Sequence, residues 1–234
     1  MLITTILFDL DGTLLPMDQD TFVKAYFGRL AAWLAPHGYE PKRLIDGIWA
    51  GTAAMIQNDG GLTNEERFWC TFSAVYGADV RRDEALFEAF YREDFPKVAA
   101  VCGHNPEAAK LIARVKAAGY TAVLATNPLF PAIATENRMA WAGLSPADFD
   151  LYTTYENTGF CKPNPDYYRD ILKKLDVKPE ECLMVGNDVA DDMVTEELGM
   201  QVFLLTDCLI NKDDRDISRY PHGGFSELNA FLFG

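Results

Sequence analysis

Short apolar runs alternating with amphipathic stretches set the rhythm of the chain. Residues 3–8, ITTILF, are β-branched and aromatic and predict a strand. Between 18 and 97 the apolar positions recur three and four apart instead. Phe22, Tyr26, Leu30, Trp33 and Leu34 follow Asp18 or Asp20 as a cap and predict a first helix. Residues 41–61 predict a second, closed by Gly60. Residues 62–77 predict a third, with Thr63 and Glu66 as a capping box and Gly77 at its end, and 81–98 a fourth. No strand pattern interrupts these helices.

From about residue 105 strands and helices take turns. A helix over 105–119 has Asn105 as cap, Pro106 at its first position and Gly119 past its end. A strand follows over 120–126, a helix near 131–142, a short strand at 151–154 and a helix over 164–176 behind Asn164 and Pro165. A strand at 181–186, a helix over 190–199 and a strand at 201–206 complete the series, and the polar stretch 207–224 reads as loop. Such alternation, with short strands apolar throughout, predicts an α/β fold: a doubly wound parallel sheet covered on both faces. The helical stretch is then an insertion after the first strand. The expected division is a core of 1–15 and 100–234, with an all-α insert over 16–99.

Composition narrows the function classes. The 234 residues are 49% apolar and 24% charged, ordinary for a globular chain that buries a core. No run approaches the ~20 apolar residues of a membrane span, and the N-terminus lacks the basic flank of a signal peptide. Five scattered cysteines, without a CxxC pair, read as reduced thiols of a cytoplasmic protein. A net charge of −14 argues against a nucleic-acid partner, which wants a basic face, and leaves room for a small anion only beside a local cation.

The candidate chemistry sits where the predicted strands end, which is where open α/β sheets bind ligands. Asp9-Leu10-Asp11-Gly12-Thr13 follows the first strand, Thr126-Asn127 the second and Lys162-Pro163 the short third. Gly186-Asn187-Asp188 follows the fourth, with Asp191 and Asp192 close behind. Asp9 and Asp11, two apart, can share one pocket. Two carboxylates so close repel, and a divalent cation relieves this; oxygen ligands and a phosphate substrate favour Mg²⁺. Taken singly, Thr126-Asn127 before a proline is an ordinary turn and Lys162 a solvated lysine. It is their order along the chain that gives them weight.

That order resembles the haloacid dehalogenase superfamily: DxDGT, a strand-end Thr or Ser, a Lys followed by Pro, and a late acidic motif, with a helical cap inserted between the first and second. The resemblance covers the whole chain. It implies an aspartyl-phosphate mechanism with Asp9 as nucleophile, Asp11 as general acid/base and carbonyl ligand, and Thr126, Asn127 and Lys162 on the substrate phosphate. The late motif departs from the family's Gly-Asp. Either Asn187 or Asp188 takes the metal place; Asp188 is the better Mg²⁺ ligand, giving Asp9, Asp11 and Asp188 as the metal set and Asp192 as their support. Asp191 is expected to be a solvated helix residue.

The implied function is Mg²⁺-dependent hydrolysis of a small phosphorylated metabolite. A dehalogenase is disfavoured because members with that activity lack the second aspartate. A phosphomutase of the β-phosphoglucomutase kind and a non-catalytic phosphate-binding regulator are the alternatives. His37, His104 and His222 are isolated and expected to be structural. Trp33, Trp49 and Trp69 are expected to pack in the core of the insert, though one could touch substrate.

Overall fold

The computed structural model describes residues 2–234; Met1, the first residue of the expected core, lies outside them. Six parallel strands form one sheet in the order β3-β2-β1-β4-β5-β6. They are β1 (Thr5–Phe8), β2 (Thr121–Leu124), β3 (Leu151–Tyr152), β4 (Cys182–Gly186), β5 (Gln201–Leu205) and β6 (His222–Gly223). β1 is central: it pairs with β2 on one side and β4 on the other, so the strand order reverses at its end.

Successive side chains of each strand serve opposite faces, as the pleat requires. Ile6, Phe8, Leu124 and Val185 join one apolar cluster; Leu7, Val123, Met184 and Leu204 join another. The first cluster contains α5 (Pro106–Ala117), α6 (Ala132–Trp141) and α8 (Phe225–Phe233), and the second contains α7 (Pro165–Leu175) through Tyr167, Tyr168 and Ile171. A sheet covered on both faces explains why its strands read as apolar throughout.

Between β1 and β2 lie α1 (Gln19–Leu34), α2 (Pro41–Ile56), α3 (Asn64–Tyr76) and α4 (Glu84–Glu93), the four helices expected from the periodicity, with 3₁₀ turns after α1, α3 and α4 and a plain loop between α2 and α3. Asp18 caps α1 by accepting the Thr21 N–H, and Thr63 and Glu66 close the capping box of α3. The block is held by aromatic packing. Phe72 meets Phe68, Trp69, Tyr76 and Phe87, and Tyr26 meets Phe90, Tyr91 and Phe95, all with ring centroids within 6.4 Å. Trp69 is buried and Trp33 packs at the edge of this core. Trp49 departs from expectation: it is 50% exposed and leans on Phe27.

Two stretches differ from the sequence reading. Residues Met193–Leu198 form a 3₁₀ segment and not an α-helix. The Thr195 hydroxyl donates to the Asp192 carbonyl, the Asp192 carboxylate is committed elsewhere, and Gly199 stops the turn in the left-handed region after six residues. The tail 207–224 ends in the edge strand β6, and α8 follows it, capped where Glu227 accepts the Gly224 N–H. Among the described residues no helix is long and apolar enough to cross a membrane, and all five cysteines are free.

Candidate active site

β1 delivers Asp9 into the sheet's C-terminal edge. Its backbone N–H donates to Val185 at 2.9 Å, and the Phe8 carbonyl accepts from Ala125 at 2.7 Å, so the three strand ends lie side by side. The loop then turns tightly. Gly12 has φ +89°, and a Cβ there would overlap the Asn187 amide, so the glycine is required both for the turn and for the approach of the β4 loop. The Thr13 hydroxyl, which carries a single hydrogen, reaches Asp9 Oδ2 at 3.0 Å and Asn187 Oδ1 at 2.9 Å.

Asp9 Oδ1 accepts from Lys162 Nζ at 2.8 Å, and the same ammonium donates to Asp192 Oδ1 at 2.7 Å. All three side chains are buried or nearly so. Burial disfavours the charged lysine, but Asp192 and Asp9 outweigh it and raise its pKa well above the ordinary value, so Lys162 stays a cation. Burial raises the Asp192 carboxyl; Lys162 opposes this and the Asp9 charge adds to it. Gly186 makes room for the arrangement, since a Cβ there would overlap the Asp192 carboxylate. Asp192 also accepts the Asp188 N–H at 3.0 Å, which ties the late loop to the lysine.

These residues line one cavity of about 460 Å³, together with Asp11, Thr126, Asn127, Asp188 and Asp191. The Thr126 carbonyl accepts from Thr153 Oγ1 at 2.7 Å and Tyr167 at 2.9 Å, which fixes the loop end at the cavity wall. Asn127 Oδ1 is buried without a partner, and its Nδ2 lies 3.5 Å from Asp191 Oδ2. Asp191 is thus a cavity residue and not a solvated one. Burial pushes its carboxyl up to about 6, with Lys162 opposing and the charges of Asp188 and Asp9 adding. Asn187 is spent on the loop: its Nδ2 donates to the Cys208 carbonyl at 2.7 Å and its Oδ1 accepts from Thr13. Asp188 Oδ1 accepts the N–H groups of Ala190 and Asp191, at 2.7 and 3.0 Å, and its second oxygen is uncommitted.

A charge the sequence reading passed over faces Asp11. Arg138, on α6, is 1% exposed and donates through Nη1 to Asp11 Oδ2; Nε reaches the Ala134 carbonyl at 3.3 Å and Nη2 the Thr135 hydroxyl at 3.2 Å. Its guanidinium also lies 4.6 Å over the Phe130 ring. Asp11 Oδ1 is buried with no partner. Burial raises the Asp11 pKa, Arg138 lowers it, and the net shift is upward. The two aspartates therefore have separate cations. Lys212 and Arg215, from the tail expected to be loop, reach the rim of the same cavity. Arg138 falls four after Ala134 on the buried stripe of α6, in the last turn, where the sequence does not distinguish it from an arginine serving the helix end.

Asn64 is a second residue without a sequence signal beyond its place behind a cap. It is fully buried at the joint between the helical block and the sheet loops. Its Nδ2 lies 3.1 Å from the Phe160 carbonyl and 3.3 Å from both the Pro128 carbonyl and Cys161 Sγ, and its Oδ1 accepts from Asn58 at 2.9 Å. The histidines lie apart from the site; His104 and His222 contact only backbone carbonyls.

Comparison with known proteins agrees with this arrangement. Residues 3–195 match the family described as haloacid dehalogenase-like hydrolase. The chain belongs to that family. The hydrolase is 26% identical over 208 residues to a phosphoglycolate phosphatase of Vibrio parahaemolyticus, covering 87% of this chain and 84% of that one. It is 23% identical over 197 residues to the pyrophosphatase PpaX of Bacillus velezensis, covering 84% and 80%. Among solved structures it resembles a 2-haloacid dehalogenase of Pseudomonas syringae (TM-score 0.65, 21% identity, 99% and 98% covered). It also resembles a HAD phosphatase of Thermococcus onnurineus (TM-score 0.61, 19% identity, 99% of each chain). At these identities the structures share the fold, and a phosphatase and a dehalogenase share it equally.

Proposed function

We propose that this hydrolase is a Mg²⁺-dependent phosphomonoesterase that works through an aspartyl-phosphate on Asp9. The observation that carries this reading is the pair itself: Asp9 held by Lys162, and Asp11 with its own buried cation, in one cavity with Thr126 and Asn127. A dehalogenase needs no proton for a departing halide; a phosphate ester does, and Asp11 is there to supply it. The phosphatase names of the matched relatives point the same way.

A cation fits the donors. Asp9 has lone pairs beyond those used by Thr13 and Lys162, the loop's own backbone bonds leave the Asp11 carbonyl without a donor, and Asp188 keeps one oxygen free. Among the described residues no three His, Cys, Asp or Glu side chains converge on a cation site. We assign Asp9, Asp188 and the Asp11 carbonyl to Mg²⁺, with Asn187 as loop staple and Asp192 as the group that orients Lys162. When bound, Mg²⁺ offsets the negative charge of the phosphoryl group and of the two carboxylates.

Asp9 attacks phosphorus, and the bond to the leaving oxygen breaks as Asp11 gives that oxygen its proton. Its raised pKa favours the protonated form that this step needs. Asp11 then takes a proton from water, whose oxygen attacks the same phosphorus and frees Asp9. Lys162, the Thr126 hydroxyl and the Asn127 amide are the donors for the phosphoryl oxygens, whose charge spreads in the transition state. In this reading residues 16–99 act as a cap over a core of 1–15 and 100–234, and the substrate is a small phosphorylated metabolite.

Turnover of p-nitrophenyl phosphate tests the assignment. Asp9→Asn is expected to abolish it with the fold intact by circular dichroism. EDTA is expected to silence the wild-type enzyme and added Mg²⁺ to restore it. Acid-quenched enzyme is expected to carry phosphate on Asp9 by peptide mass spectrometry. Substantial activity in Asp9→Asn, or an adduct on another residue, removes the nucleophile assignment; indifference to EDTA removes the metal.

A further inference from the structure

The cavity over Asp9 does not end at the sheet loops. Val23, Trp49, Thr52, Leu129 and Phe130 line both it and a second pocket of about 140 Å³ inside the helical block. Leu129 and Phe130 follow Thr126 and Asn127 within four residues, so one loop carries a phosphate-binding end and an apolar end. The half-exposed Trp49 stands where the two spaces meet.

The chemistry of this inner pocket differs from that of the outer one. Its deeper wall is Ile48, Phe68, Trp69, Phe87, Tyr26 and Tyr91, and none of its lining residues carries a charge. The Tyr26 and Tyr91 hydroxyls satisfy each other at 2.9 Å and stay neutral, with burial pushing Tyr26 up to about 12. Trp69, 3% exposed, has a buried ring N–H that completes no hydrogen bond, and the Tyr155 hydroxyl near it is kept neutral by burial. A buried donor without a partner is uncommon and costly. The volume is also informative: a dry apolar cavity of about 150 Å³ in another protein takes up benzene.

We propose that this pocket receives the leaving group, so that the preferred substrates are phosphate monoesters of alcohols bearing one compact, uncharged apolar ring. The proposal rests on the phosphatase reading above and goes beyond it by naming the substrate class. A leaving group that is itself a phosphate or carries a carboxylate would meet no cation in this pocket and would have to give up its water there. Such groups belong at the outer rim, near Lys212 and Arg215. An aromatic ring loses nothing by entering and sheds its contact with water.

The test has a kinetic arm and a binding arm. In the first, kcat/KM is measured for benzyl phosphate, methyl phosphate, phosphoglycolate and pyrophosphate. Benzyl phosphate is expected to exceed methyl phosphate by about 10- to 100-fold, the gain from taking one ring out of water, and to exceed both charged substrates. Thr52→Trp at the shared mouth, or Ile48→Phe deeper in, is expected to raise KM for benzyl phosphate and shrink that ratio. In the second arm, 4-fluorobenzyl alcohol is titrated against the protein and followed by ¹⁹F NMR. Its resonance is expected to shift and broaden with wild type and with Asp9→Asn, and to stay sharp with whichever plugged variant folds. Equal rates for benzyl and methyl phosphate, or a preference for phosphoglycolate or pyrophosphate, overturn the substrate class while the phosphatase reading stands. If no phosphomonoester is hydrolysed, the phosphatase reading falls and the alcohol titration decides the pocket alone: binding lost on plugging upholds an apolar ring as its ligand, and an unperturbed resonance rejects it.

Discussion

The loops at the sheet's edge and the helical block build two walls of one cavity by opposite means. On the sheet side the wall is a polar network, Thr13 on Asp9 and Asn187, Lys162 on Asp9 and Asp192, Asp188 on the turn that follows it, with Asp11 Oδ1 and Asn127 Oδ1 buried and unpaired. On the helical side the wall is rings packed on rings, with one stray N–H. Hydrogen bonds and ion pairs fix position to a few tenths of an ångström, which transfer of a phosphoryl group requires. Apolar packing fixes volume and excludes water, which is enough to choose a leaving group. A substitution on the sheet side should therefore damage turnover for every substrate, and one on the helical side should damage it selectively.

Lys162→Ala is the severest way to probe that contrast. It removes the proposed phosphoryl donor and leaves Asp9 and Asp192 facing each other without their shared cation. The expected loss is about 10²- to 10³-fold in kcat for all substrates, accompanied by lower thermal stability because two buried carboxylates lose their partner. A rate close to wild type on p-nitrophenyl phosphate would place Lys162 outside the chemistry and reduce the sheet-side network to a structural one.

Much of the sheet side was legible because its signals are local. An apolar run that stops at Asp9, a glycine at Gly12, and Thr126 and Asp188 just past strand ends are features of short windows that the sheet's topology gathers; Lys162 stands well beyond β3 and reaches them through its loop. Arg138 was not legible, since an arginine in the last turn of a helix ordinarily serves the helix end; only the tertiary packing of α6 turns it inward onto Asp11. Asp192, expected to support the acidic set, meets Lys162, whereas Asp191, expected to be solvated, lines the cavity, because the segment that follows is a 3₁₀ turn and not the helix that would have carried it outward. Trp49 belongs to the same class: its helical spacing resembles that of buried positions, yet the helices pack so as to leave it at the cavity mouth. Periodicity reports that a face is apolar and does not report what covers it.

Arg138 sharpens the comparison because it is a polar device of the outer cavity set against an apolar ring, that of Phe130. Replacing it with Met keeps the length and removes the charge, stranding the Asp11 carboxylate. We expect a stability loss of about 3 kcal/mol by chemical denaturation, of the size found when one partner of a buried pair is removed, together with reduced turnover as Asp11 loses its fixed position. Pairing it with Asp11→Asn removes both charges. The double variant is expected to recover most of the stability and none of the activity. If the two losses simply add, Arg138 and Asp11 are not coupled, and the second aspartate is positioned by something other than this ion pair.

The smallest expected effect lies at the joint between the two regions. Asn64 opens α3, yet its amide reaches back to carbonyls at Pro128 and Phe160, on the loops that carry Asn127 and Lys162. The neighbouring backbone bonds, Asn64 N–H to Thr158 and Glu65 N–H to Tyr155, cross the same boundary and survive any change of side chain. Asn64→Ala therefore removes only the side-chain part of the joint and leaves buried acceptors, and the Asn58 amide, short of a partner. The cost should be about 1–3 kcal/mol in stability, read from the denaturation midpoint. The catalytic donors keep their own bonds, so kcat on p-nitrophenyl phosphate should change far less than in Lys162→Ala. Because the Asn64 side chain ties the aromatic block to the loops that carry Asn127 and Lys162, a large fall in kcat at unchanged stability would mean that the two walls do not work independently, and that the block's packing reaches Lys162 through this amide.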